Sequence, residues 1–159
     1  MTLDLPVPSE VDAADAPTES RSASALDRIA DKALALGRYE EAERMLARRL
    51  DEVLEDARDG RRLARGALAT GAHYALALAE GTGKGRWLDW IFRAYEARGV
   101  PLEAELVDRL HEVVRHIRYP GSDAFRRYLV SLRRRADELS PNGRFQLRRL
   151  EGLERMVGA

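Results

Sequence analysis

The chain has no cysteine, so it can form no disulfide, zinc–thiolate site or thiol nucleophile. Lysine is nearly missing too: Lys32 and Lys84 stand alone beside many arginines, a ratio read here as GC-rich coding rather than as chemistry. Strand-forming residues are scarce. The longest apolar run, Ala75-Leu-Ala-Leu-Ala79, is far too short to cross a bilayer. The first residues lack the basic-then-apolar pattern of a secretory signal, which leaves a soluble, cytoplasmic protein as the expectation. Aromatic residues make up only 6%, yet both tryptophans lie within one short stretch.

What remains is rich in Ala, Leu, Arg and Glu, with 45% hydrophobic and 34% charged residues. That composition suits helices with solvated outer faces around a real core. The formal net charge is zero, so no bulk attraction to nucleic acid or membrane follows. The balance conceals an asymmetry: residues 1–60 hold 15 acids and 8 bases, whereas residues 61–159 hold 12 acids and 19 bases.

Residues 1–22, with Pro6, Pro8, Pro17 and several carboxylates, offer little to bury and are expected to form a flexible tail or linker. Residues 23–159 are expected to form a single all-α domain. Its first helix starts at Ser24 as N-cap, carries Leu26, Ile29, Ala30, Ala33 and Leu36, and stops at Gly37. A second runs from Tyr39 through Ala42, Leu46, Leu50, Val53, Leu54 and Ala57 to Gly60. The short break between them points to an αα-hairpin.

Here Leu36-Gly37-Arg38-Tyr39-Glu40-Glu41-Ala42 resembles the inter-helix signature of tetratricopeptide repeats: Gly at the turn, then an aromatic, then Ala three residues on. The resemblance covers residues 23–56, one unit. It implies a helical hairpin in which Tyr39 wedges between helices and organises the core. The sequence departs from the repeat where Arg49 stands in place of the late Ala and where no proline closes the unit.

A third helix is expected over residues 61–80, built from small residues with Leu63, Leu68, Tyr74 and Leu78 for bulk. Gly66 and Gly71 weaken it, so packing must hold it. The fourth, Arg86 to Arg98, places Trp87, Trp90, Ile91, Ala94 and Tyr95 on one face and Asp89, Arg93 and Glu96 on the other. Trp87, Trp90 and Tyr95 are therefore expected to organise the core, between the small-residue helix before and the leucine-rich helix after. That fifth helix begins with Pro101 in its first turn and carries Leu102, Leu106, Leu110, Val113, Val114 and Ile117. A sixth, capped by Ser122 or Asp123, runs through Leu132, Ala136 and Leu139. After a break at Ser140-Pro-Asn-Gly143, a seventh carries Phe145, Leu147, Leu150, Leu153 and Val157.

Sites of chemistry are few. Gly81-Thr-Gly-Lys-Gly85 lacks the hydroxyl residue and first glycine of a phosphate loop, and a helix precedes it instead of a strand. What survives is a turn whose Lys84 and Arg86 could hold a carboxylate or phosphate near a helix N-terminus. His111 and His116 lie five residues apart, about 140° around a helix, so they do not converge on one metal. With Asp108 and Glu112 they read as a solvated face, and His73 as a hydrogen-bonded core or boundary residue. No nucleophile motif appears. No catalytic, metal or cofactor site is expected.

The arginine runs Arg126-Arg127, Arg133-Arg-Arg135 and Arg148-Arg149 would suit nucleic acid if Phe125, Tyr128 and Phe145 were exposed for stacking. All three fall on apolar stripes, and acids are interspersed, so nucleic acid is disfavoured. An acidic or phosphorylated protein segment is the expected partner, with Lys84, Arg86, Arg93, Arg126, Arg133 and Arg134 as candidate contacts. A homo-oligomer stays open. The tail-plus-helices layout is also similar to regions that follow forkhead-associated domains in some bacterial signalling proteins. That similarity implies a non-catalytic adaptor or regulatory scaffold, without the phosphothreonine-reading domain. The alternatives are a nucleic-acid-binding helical domain using the arginine-rich C-terminal helices and a small-ligand-binding helical protein.

Overall fold

A computed structural model describes residues 17–158, with side chains from residue 25 onward. Among the described residues the chain is all-α: seven α-helices and one 3-10 turn, with no strand. The helices are α1 (Pro17–Ala35), α2 (Tyr39–Arg58), α3 (Ala67–Thr82), α4 (Arg86–Arg98), α5 (Ala104–His116), α6 (Asp123–Arg134) and α7 (Pro141–Val157); the 3-10 turn η1 (Ala136–Glu138) joins the last two. No helix among them is long and apolar enough to cross a membrane. The expected tail falls mostly outside the described residues, but α1 already starts at Pro17, whose fixed φ suits a first helical turn, rather than at Ser24.

The described residues divide into two units, one ending at Met45 and the other beginning at Leu46, with the boundary inside α2. In the first unit, Gly37 takes a left-handed φ of 74° and the Arg38 amide donates to the Ala33 carbonyl at 2.8 Å, which closes α1 and starts α2. Ala30, Ala33 and Ala42 are buried, whereas Ile29 and Leu36 of the expected stripe are exposed. Tyr39 is 36% exposed, so it is not the buried wedge that the repeat resemblance implies. It is the first residue of α2, directly after the Gly37–Arg38 turn.

The second unit is built around α4. One face of α4 buries Trp87, Leu88, Trp90, Ile91, Phe92, Ala94 and Tyr95, and the helix packs against α3 on one side and α6 on the other. The second neighbour is thus α6, not the leucine-rich α5, which lies against α3 and α7. α6 has the stronger claim because it supplies aromatic rings: Phe92 meets Phe125 edge-on at 4.3 Å and Tyr128 at 6.0 Å. Small side chains on α3 (Ala72, Ala75 and Ala79, all fully buried) let α4 approach closely. The Trp90 indole donates from Nε1 to the Leu50 carbonyl of α2 at 2.8 Å, which satisfies its one polar atom inside the core.

Several boundaries differ from the expected ones, each for a local reason. α3 begins at Ala67 instead of residue 61, because Gly66 turns left-handed at φ 78° immediately before it. It also continues to Thr82, so the first two residues of the glycine-rich loop are the end of a helix. Pro101 and Leu102 precede α5, whose N-cap Glu103 is extended (φ −67°, ψ 151°). α6 stops at Arg134, where Arg135 leaves helical geometry (φ −111°, ψ 19°) and its guanidinium donates to the Gly99 carbonyl at 2.6 Å; η1 follows, and Leu139 after it is buried. Ser140-Pro141 is a helix start rather than a break, with the Ser140 hydroxyl accepting from the Gly143 amide at 3.0 Å.

Candidate functional site

The face of α4 opposite the tryptophans and the outer face of α6 together form a basic groove. On α6, Asp123, Arg126, Arg127, Val130, Ser131 and Arg134 recur at helical spacing and line it, with Glu96 of α4 and Arg135 completing the wall. Its volume is about 610 Å³. A smaller hollow of about 300 Å³ shares Glu96 and Arg127 with it and adds Arg58 of α2 and Arg93 and Ala97 of α4. Six arginines therefore meet two carboxylates along this surface.

The internal ion pairs there are weak. Arg126 pairs with Asp123 at 3.3 Å and Arg127 with Glu96 at 4.0 Å, and all four groups are substantially solvated, where such pairs contribute up to about 1 kcal/mol. Arg58, Arg93 and Arg134 have no hydrogen bond or ion pair with any described residue. Their guanidinium forks, each with five donors, stay open to an anion.

The candidate contacts named from the sequence separate into three groups. Arg93, Arg126 and Arg134 line the groove or its hollow. Arg133, next to Arg134 in the chain, is instead a strut between α6 and α7: it donates to Glu151 at 2.8 Å and to Glu154 at 3.2 Å, and these two acids raise its pKa. Lys84, in the turn between α3 and α4, and Arg86, the first residue of α4, are not among the groove's walls. The Lys84 amide donates to the Thr82 hydroxyl at 3.2 Å, and the Arg86 guanidinium sits 4.7 Å from the centre of the Trp87 ring. Among the core organisers, Trp87, Trp90 and Tyr95 are buried at 4, 3 and 0% exposure.

Sequence reasoning passed over Arg58, Glu96 and Arg135 as contacts. Arg58 ends a helix remote in the chain and only folding brings it to the groove. Arg127 carried a signal, as half of a dibasic pair on the exposed face of an amphipathic helix.

The His111 and His116 rings donate to carbonyls one turn back, Val107 at 2.9 Å and Glu112 at 2.8 Å, and Asp108 accepts from Arg149 of α7 at 2.6 Å. No cluster that could hold a metal ion occurs among the described residues. His73 is exposed, not a core or boundary residue, because it points away from the small-residue face that packs. Phe145 also departs from its expected stripe: it is 50% exposed, with the Arg148 guanidinium 5.9 Å from its ring, whereas Phe125 and Tyr128 are buried.

Three buried tyrosines tie the loops to the core. The Tyr119 hydroxyl donates to Asp89 at 2.7 Å and receives a bond from Ser122 at 3.0 Å; Tyr95 donates to Glu103 at 2.8 Å; Tyr128 donates to the Val100 carbonyl at 2.8 Å. Burial, above all, pushes each phenol's pKa well up from its ordinary value of 10.0.

No family model, curated protein or solved structure matches the chain.

Proposed function

We propose that the protein is a non-catalytic interaction module, an adaptor or regulatory scaffold in signalling or assembly, which binds an acidic segment of another protein in the α4/α6 groove. The observation that carries this reading is the groove together with its adjoining hollow: six arginines against two carboxylates, with Arg58, Arg93 and Arg134 uncommitted. Arginine forks recognise carboxylates by paired hydrogen bonds, and a positive cleft draws an acidic partner to it. The tetratricopeptide-like turn at Gly37 and the likeness to regions beside forkhead-associated domains fit the same role.

A nucleic-acid ligand is less well supported. Only Phe145 of the three aromatics among the arginine runs offers a stacking surface, and it lies on α7, outside the groove's walls. The test is titration of a fluorescent Asp/Glu-rich peptide into the full chain, repeated with Arg126→Gln/Arg134→Gln. The expected result is saturable, salt-sensitive binding that the double substitution weakens about tenfold or more, as loss of two charge-assisted contacts implies. Equal binding by both proteins would remove the groove from the account.

A further inference from the structure

The small hollow beside the groove has a composition that a carboxylate ligand does not use fully. Its three arginines come from three helices: Arg58 from α2, Arg93 from α4 and Arg127 from α6. Glu96 is the sole acid among its walls, leaving an excess of two positive charges. Arg58 and Arg93 have no hydrogen bond or ion pair with a described residue, and the Arg127–Glu96 separation of 4.0 Å is the outer limit of an ion pair. About 300 Å³ places it at the small end of ligand sites, and the shared residues Glu96 and Arg127 make it continuous with the longer groove.

We propose that this hollow receives a phosphoryl group carried on a serine or threonine of the acidic segment that the α6 groove binds. The inference rests on the groove reading above. A phosphoserine brings a charge of about −1.5 to −2 and three acceptor oxygens, which matches the local excess. A phosphoryl group in the hollow has arginines of three helices among its walls, whereas a carboxylate, with one charge and two oxygens, leaves part of the positive excess unmatched. A nucleic-acid strand fits less well: it presents a row of phosphates and wants exposed rings, but Phe92, Phe125 and Tyr128 of the same helices are buried, and Glu96 and Asp123 interrupt the groove's positive charge.

The experiment compares two forms of one short Asp/Glu-rich peptide, with and without a single phosphoserine, titrated into the full chain. The phosphorylated form should bind about tenfold tighter, the scale of a charge-assisted contact, and the preference should fade below about pH 6 as phosphate takes up its second proton. Arg58→Gln and Arg93→Gln should each erase most of the preference, lowering the phosphorylated peptide's affinity by a much larger factor than the unphosphorylated peptide's. Arg134→Gln should weaken both forms alike. These side chains are exposed, so unfolding midpoints should match the wild type and confirm that the variants are folded. Equal affinity for the two forms overturns the phosphoryl site and leaves the acidic groove standing. Binding of neither form overturns both. A preference that survives both Arg58→Gln and Arg93→Gln puts the phosphoryl group elsewhere, and displacement of the phosphopeptide by a short single-stranded oligonucleotide at lower concentration replaces the proposal with a nucleic-acid site.

Discussion

Gly71 and Trp90 fit together so closely that no side chain can stand between them: a Cβ on Gly71 would lie 2.6 Å from Cη2 of the Trp90 ring. A hydrogen bond from its Nε1 to the Leu50 carbonyl anchors the ring where it is. A glycine that costs α3 helix propensity is thus what lets α4 dock against it.

Gly71→Ala sets two effects of opposite sign against each other. Alanine should favour the helix by roughly 0.5–1 kcal/mol, but forcing a methyl into the indole should cost about 1–3 kcal/mol. The clash should win. Chemical denaturation should show a lower midpoint for the variant, with a loss of Trp90 packing visible in the fluorescence.

Gly85 has a similar relation to Tyr119, whose Cδ1 would lie 2.9 Å from an added Cβ. Tyr119→Phe should keep the ring contact and leave Asp89 and Ser122 without the phenol. A loss of about 1 kcal/mol is expected from thermal or denaturant unfolding, since Asp89 can turn to water.

Alkaline pH should destabilise the fold. The phenols of Tyr95, Tyr119 and Tyr128 have pKa values raised above 10.0 in the folded state, so the unfolded chain releases their protons first. Their contribution is complete below pH 10 and declines as pH rises from there toward the folded values, by up to about 1.4 kcal/mol per pH unit per tyrosine. Three of the five tyrosines should therefore show phenolate absorbance only as the protein unfolds.

Arg133 and Arg134 should separate in experiment although they are adjacent. Arg133→Met removes exposed ion pairs to Glu151 and Glu154 and should cost less than about 1 kcal/mol, less still at high salt, without altering peptide affinity. Arg134→Gln should leave stability unchanged and weaken the acidic peptide. Parallel unfolding and binding titrations on the two variants check both halves.

The aromatic helix was legible in the sequence because Trp87, Trp90, Ile91, Ala94 and Tyr95 repeat at helical spacing and Gly99 follows its end. The different fates of Arg133 and Arg134 were not, since a step of about 100° around a helix sends neighbours to different surroundings, and only tertiary packing says which one meets α7. Arg58 reached the groove by the same unwritten route. Ile29, Leu36 and Phe145 show the converse: periodicity marks a stripe, but burial needs a neighbour, and these three are exposed. The left-handed turn at Gly66 and the extended Pro101–Glu103 segment shortened two helices that composition alone extends.

α4 turns its aromatic face into the core, and in the function proposed above recognition falls to the arginines on its other side. The buried aromatic face is read out by guanidinium unfolding of Trp90→Ala. Trp90 is 3% exposed, touches Gly71 and bonds to Leu50, so its truncation should cost about 3–5 kcal/mol. A loss below about 1 kcal/mol, the scale of a surface substitution, would put the indole at the surface and make the tryptophan face, not the arginine groove, the place where a partner binds.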